Sequence, residues 1–290
     1  MRRTIPLSLA VVVALIVSLP AVTRAAGTLE RIEKEKTFKI GFIPSPPGVI
    51  KDPKTGELSG YYIDTVRVIC EQMGVKPVFV EAAWGTFVAG LQSGQFDLSI
   101  AATFATIPRA MAVDFTHPIH YLGYSAVVKK GDARFKSLAD VDQPGVKVAV
   151  VQGAAGHEYA KQNFKNAQLT VLATSDLTAP FVEVTAGRVD VGIEDAWATK
   201  RYAAAHPEVV DLFAERPYNV LPIAWAVRKG EYDLLTFMNT ALDYMLINGK
   251  LDQLASKYGP SGRFELRRSY EPVGLGGPAR EVGPARPSGR

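Results

Sequence analysis

The sequence predicts an α/β fold in two lobes, each a mostly parallel sheet flanked by helices, with two strands joining them. Three observations carry this. Strand and helix signals alternate from residue 29 to residue 266, which is the patterning of parallel sheets covered by helices. A helix end, a Gly, two residues, an Asp and a strand occur in that order twice, 93 residues apart, at Gly94 and Gly187, as expected of two units built on one plan. Two longer strand-like stretches, 121–129 and 220–228, separate the halves.

Residues 38–42 form a short β-like run. Ile63, Val66, Ile69, Cys70 and Met73 recur at helical spacing, and Gly74 follows as a stop. Residues 77–80 read as a strand, 87–92 as a helix stopped by Gly94, and 98–101 as a buried strand. The pattern then repeats as strand 147–151, helix 158–164, strand 169–172, helix 181–186 closed at Gly187, and a strand carrying Val189, Val191 and Ile193. Ser93-Gly94-Gln95-Phe96-Asp97-Leu98 matches Ala186-Gly187-Arg188-Val189-Asp190-Val191. Leu234, Leu235, Met238, Leu242, Met245 and Leu246 recur at helical spacing before Gly249, so a last helix is expected to pack back on the first lobe. Two crossings between lobes make a hinge.

The ends differ from this body. Arg2 and Arg3 precede an apolar run at 7–19, broken only by Ser8 and Ser18, and Pro20 and the small residues Ala21, Thr23, Ala25 and Ala26 follow. This is the order of a secretory signal, with cleavage expected near Ala25 or Ala26; an uncleaved N-terminal anchor is the alternative. No Cys stands at the cleavage point to make a lipoprotein. Beyond the signal no apolar run approaches the ~20 residues of a membrane helix. The Pro-, Gly- and Arg-rich residues 267–290 read as a disordered tail, and Gly274-Leu275-Gly276-Gly277 within it lacks the strand–turn–helix setting of a nucleotide loop. The expected division is therefore 1–26 signal peptide, 27–122 first lobe, 123–222 second lobe, 223–266 return to the first lobe and 267–290 tail. The chain carries a formal charge of +4, but the signal and the tail hold eight Arg, Arg2, Arg3, Arg24, Arg267, Arg268, Arg280, Arg286 and Arg290. The middle is mildly acidic, which argues against a nucleic-acid partner. The single cysteine, Cys70, lies in an apolar-periodic segment and reads as a buried thiol.

In open parallel sheets, ligands bind beyond the carboxyl ends of strands. Beyond the first strand lie Ile43-Pro44-Ser45-Pro46. Beyond Ala101 lie Ala102, Thr103 and Phe104, then Thr106-Ile107-Pro108-Arg109. Beyond Val151 lie Gln152, Gly153, Ala154 and Ala155, opening a helix, and beyond Ile193 lie Glu194 and Asp195. These ends suit a zwitterion. Arg109 can hold a carboxylate through two parallel hydrogen bonds, or be a surface ion-pair residue. The N–H groups after Gly153 favour an anion. Asp195 can pair with an ammonium, or only cap the helix from Ala196. Trp84 can supply a flat wall, or be plain core. His117 and His120 are separated by Pro118 and lack an acidic or Cys cluster, so no metal site is expected. No phosphate loop, cofactor motif or nucleophile–His–Asp arrangement is present.

Gly56-Glu57-Leu58-Ser59-Gly60-Tyr61-Tyr62-Ile63-Asp64, Leu91-Gln92-Ser93-Gly94-Gln95-Phe96-Asp97, Thr106-Ile107-Pro108-Arg109-Ala110, Val113-Asp114-Phe115-Thr116-His117-Pro118 and Gly187-Arg188-Val189-Asp190, in this order, resemble the family 3 extracellular solute-binding proteins of polar amino-acid ABC transporters. The resemblance covers 29–263. It implies a two-lobed type II periplasmic-binding-protein fold, a monomer in the periplasm, and an amino acid or related acid as ligand. It implies an ABC permease and its ATPase as partners. By position, Arg109 would hold the α-carboxylate, Asp195 the α-amino group and Trp84 a ligand face. Three positions depart from the family: Phe104 stands where Ser, Thr or Gly is frequent, Ala155 where Thr is frequent, and Pro46 where an aromatic is frequent.

Two other functions fit the same fold. Ala133-Arg134-Phe135 and Asp142-Gln143-Pro144-Gly145-Val146 resemble the periplasmic cyclohexadienyl dehydratases. Aligned through Tyr159-Ala160-Lys161, their general acid falls at His157, beside Glu158; the plainer expectation for His157 is an exposed helix residue, and the main reading is not an enzyme. The third class is a periplasmic sensory binding protein, which would act through another protein.

Overall fold

The computed structural model describes residues 27–258, so the expected signal peptide and tail lie outside the described residues. The chain opens with α1 (Thr28–Glu35), β1 (Thr37–Phe42), a small hairpin of β2 (Ile50–Lys51) and β3 (Leu58–Ser59), α2 (Tyr61–Met73) and β4 (Lys76–Glu81). Then come α3 (Phe87–Gln92), β5 (Leu98–Phe104), α4 (Ile107–Ala112), β6 (Val113–Phe115) and the long β7 (His120–Lys129). The second half has α5 (Leu138–Val141), β8 (Lys147–Val151), α6 (Ala155–Asn163), β9 (Gln168–Leu172), α7 (Ala179–Thr185), β10 (Val191–Asp195), α8 (Ala196–Ala205) and β11 (Val209–Asp211). The chain returns along β12 (Tyr218–Arg228) and ends in α9 (Tyr232–Ile247) and α10 (Lys250–Ser256).

One sheet runs through both lobes in the order β4-β1-β5-β12-β7-β10-β8-β9. β4, β1 and β5 are parallel on one side; β10, β8 and β9 are parallel on the other. The connecting strands β12 and β7 run antiparallel to each other and to their outer neighbours. The two long strands read from the sequence as crossings are therefore the seam of the sheet.

Local sequence explains the elements. On α2, Ile63, Val66, Ile69 and Cys70 are buried at helical spacing, and Gly74 caps the end in the left-handed conformation with its N–H on Cys70 and Glu71 carbonyls. Burial pushes the Cys70 thiol up to about 12. On α9, Leu234, Met238, Leu242 and Met245 face the core of the first lobe together with Phe38, Ile40, Val66 and Trp225.

The internal repeat extends to individual bonds. Gly94 and Gly187 have φ of +73° and +72°, a conformation that favours glycine. Asp97 N–H donates to Lys39 O and Asp190 N–H to Lys147 O, both at 2.9 Å. Each carboxylate then accepts from the same strand residue's N–H, Asp97 from Lys39 and Asp190 from Lys147. Each also takes an arginine from a segment preceding that strand, Arg31 of α1 on Asp97 and Arg134 of the turn before α5 on Asp190. The Gly–x–x–Asp sequence is thus a clasp fastening a helix exit to the neighbouring strand, used once per lobe.

Several boundaries differ from expectation. The last strand of the second lobe starts at Val191 rather than Val189, because the Asp190 clasp occupies the turn. β5 runs on to Phe104, three residues past Ala101.

Candidate functional site

The carboxyl ends of β5, β8 and β10 meet between the lobes. Arg109 sits in α4, a six-residue helix with no buried residue, whose Ile107 and Met111 are exposed. Its Nη1 donates to Phe104 O at 3.2 Å and its Nη2 crosses to Gly153 O at 2.9 Å. The Arg109 guanidinium also lies 5.8 Å from the centre of the Phe87 ring. Burial pulls Arg109 below its ordinary pKa, opposed by Tyr124, Glu158 and Glu194. Among the described residues Arg109 forms no ion pair; both of its hydrogen bonds go to neutral carbonyls.

Gly153 opens α6. Its φ is +74°, and a Cβ there would stand 2.8 Å from Trp84 O and Gly85 Cα of the first lobe. The lobes therefore touch at backbone distance. Gly153 N–H donates to His157 Nδ1 at 3.1 Å, which makes this nitrogen an acceptor. His157 is half-buried rather than the exposed helix residue expected, because that bond folds its ring back over the loop. Ala154 is the helix N-cap, and Ala155 packs against Phe104 and Tyr124.

Asp195 ends β10 and caps α8: its Oδ1 accepts from Trp197 N and Ala198 N, both at 2.9 Å. Burial raises its pKa; those N–H groups and the charge of Arg201 oppose the shift. Arg201, from the same helix, donates to Pro46 O across the cleft. Glu194, the residue before Asp195 on β10, is buried, and its Oε1 has no hydrogen-bond partner. Burial and the Asp195 charge push Glu194 well above the usual carboxylate range, while N–H groups of Gly156 and Val151 oppose them.

Aromatic rings pack together beside these groups. Phe104 stacks on Tyr124 with centroids 4.7 Å apart, and Tyr159 lies 5.2 Å from Tyr124 and 5.1 Å from Tyr218. The Tyr218 hydroxyl is buried without a partner, as is Thr103 Oγ1.

The sequence-derived site residues are distributed as follows. Arg109, Gly153, Ala155 and Phe104 come together, and Asp195 joins them through Tyr124, which faces both Arg109 and Asp195. Thr103 and Phe104 lie within β5, not beyond it, since that strand continues by pairing with Ala224 and Ile223 of β12. Ser45 donates its hydroxyl to Ile43 O in its own turn. Trp84 packs edge-on against Phe87 in a cluster that includes Ala154 of the other lobe, with Nε1 unpartnered. Glu194 is placed by the sequence at the same strand end as Asp195 but given no role there, and Tyr124, Tyr159, Tyr218 and Arg201 are not among the sequence-derived site residues. For Tyr124 a signal existed: it alternates with Leu122 and Ala126 on a strand read only as a connector.

Two lobes on a seam of two strands, with an unneutralised arginine and buried acids between them, define a ligand-binding protein of the type II periplasmic-binding fold. The chain belongs to the bacterial extracellular solute-binding proteins, family 3, which it matches over residues 38–261. It is 27% identical over 240 residues to the probable amino-acid ABC transporter-binding protein of Haemophilus influenzae, covering 81% of this chain and 90% of that one. It is 24% identical to the cyclohexadienyl dehydratase of Pseudomonas aeruginosa, covering 61% of this chain and 65% of the enzyme. Among solved structures it resembles the ancestral amino acid-binding protein AncCDT-1, described as a precursor of cyclohexadienyl dehydratase, with a TM-score of 0.72 and 32% identity over 80% of this chain and 99% of that chain.

Proposed function

We propose that this chain is a periplasmic substrate-binding protein that captures an amino acid or a closely related acid and delivers it to an ABC permease driven by its ATPase. The observation that carries the reading is Arg109: a half-buried guanidinium, hydrogen-bonded only to the Phe104 and Gly153 carbonyls, with Tyr124, Glu158 and Glu194 near it but none in an ion pair with it among the described residues. Such a cation lacks an anion, and an α-carboxylate supplies one. The remaining oxygen of Asp195, beside the one used as a cap, receives the α-ammonium. Trp84, Thr103, Ser45 and the α6 start at Gly153–Ala155 shape the surroundings.

Residues 27–122 with 223–266 act as one lobe and 123–222 as the other, hinged at β7 and β12. The protein acts as a monomer, exported by a signal peptide cleaved near Ala25 or Ala26. Ligand contacts from both lobes favour closure only by as much as the closed form binds better. Titration calorimetry against a panel of amino acids after refolding tests the reading. One α-amino acid binds, and Arg109→Ala weakens it by about 2–5 kcal/mol; unchanged affinity in that variant rejects the assignment.

The dehydratase relative gives an enzymatic reading a specific footing, with His157 beside Glu158 at the start of α6, Nδ1 to Oε1 3.7 Å. Incubation with prephenate and arogenate decides it: no phenylpyruvate and no phenylalanine is the expected result. A purely sensory role would instead show binding to a receptor ectodomain and to no transporter.

A further inference from the structure

Glu194 has no role in the clamp just described, yet its burial demands one. The side chain is 1% exposed, Oε1 has no hydrogen-bond partner, and no ion pair joins it to a basic side chain among the described residues. A buried polar atom left without a partner destabilises by about 1–3 kcal/mol, and a buried carboxylate by more. In native proteins such groups are rare and call for a specific partner, a bound ligand or an ordered water among them. The groups facing Glu194 are the Asp195 carboxylate on its own strand, the backbone N–H groups of Gly156, Val151 and Asp195, Arg109 of α4, Tyr124 of β7 and Tyr218 of β12. Tyr218 brings a second buried unpartnered oxygen, and its ring packs on Tyr159 at 5.1 Å and on Tyr124 at 5.8 Å.

We propose that Glu194 is the specificity-determining residue of the cleft, accepting a hydrogen bond from a cationic distal group of the ligand, so that the ligand class is basic amino acids. The inference rests on the clamp reading and adds the side-chain end of the ligand to it. An ammonium or guanidinium ionises Glu194 and neutralises it in one step. The faces of Tyr159 and Tyr218 are electron-rich and suit a cation. An anionic distal group meets two acids, Glu194 and Asp195, with Arg109 already committed to the α-carboxylate. Because burial keeps the empty Glu194 above its ordinary range, binding of a cation releases a proton.

The refolded wild-type protein is titrated calorimetrically with L-lysine, L-arginine, L-glutamine and L-glutamate in buffers of different ionisation enthalpy, and Glu194→Gln is treated in the same way. L-Lysine or L-arginine binds the wild type at least about tenfold more tightly than L-glutamine, with proton release. Glu194→Gln loses both the preference and the release. If the wild type binds a neutral or acidic amino acid best, in an Arg109-dependent manner, this inference falls and the clamp stands. If Glu194→Gln keeps the preference for basic ligands, the inference falls as well. If no α-amino acid binds the wild type, both fall. The wild-type panel decides the ligand class even where the variant does not fold.

Discussion

Gly153 shows how one residue governs closure. It needs a positive φ, and its Cα approaches Trp84 O and Gly85 of the opposite lobe too closely for a Cβ. Gly153→Ala meets both obstacles. The left-handed backbone alone costs about 1–2 kcal/mol, and the added methyl faces backbone that has no rotamer to yield. The lobes are then held apart, and since ~1.4 kcal/mol is tenfold in affinity, ligand binding weakens by about that factor or more. Small-angle scattering of the liganded variant should give a larger radius of gyration than the wild type. Gly85→Ala is the control, because a Cβ there meets nothing within 4 Å, and it should bind normally. The sequence pointed at Gly153 because a glycine between a buried strand and a helix start is locally readable. Glu194 was legible only as a residue at the carboxyl end of its strand, beside Asp195. Its importance comes from Arg109, Tyr124 and Tyr218, which reach it from three other elements.

At the scale of elements, the helices and strands that were legible are those with a buried period and a glycine stop, such as α2, α3 and α9. α4 was not, since it buries none of its six residues and exists to aim Arg109. The repeated clasp is the element-level device with the clearest energetic reading. Asp190 accepts from Lys147 N–H at 2.9 Å and from Arg134 at 2.7 Å. Burial works against its ionisation, but these two donors outweigh it and hold its pKa below the usual value. Asp190→Asn must turn an NH2 toward one of the two donors, so it should destabilise by about 1–2 kcal/mol, read as a lower urea midpoint at pH 7. A group with a depressed folded pKa contributes stability that is lost as pH falls through that pKa. The gap between wild type and Asp190→Asn should therefore close below about pH 4.

At the scale of the molecule, the lobes are joined by more than the seam. Trp197 of α8 stacks on His120 at 4.5 Å, and His120 stacks on Tyr62 of α2 at 6.1 Å, so a three-ring column runs from the second lobe into the first. Burial pushes His120 down to about 3. The folded protein thus keeps this ring neutral while the unfolded chain protonates it below about 6.5. The unfolded state binds the extra proton, so His120 contributes stability that is full above about pH 6.5 and lost as pH falls toward 3, by about 1.4 kcal/mol per pH unit. Glu194 and Asp195 act in the opposite sense. Their raised pKa values make the folded state the better proton binder, and stability is gained as pH falls through them. The wild-type profile is a sum of these slopes, and only a variant separates them. His120→Phe keeps a ring in the column and removes the titration. Urea unfolding at intervals between pH 7 and 4.5 should show the variant losing stability less steeply than the wild type, by close to one proton. Equal slopes would mean that the folded protein admits a proton at His120, and that the column opens in acid without unfolding.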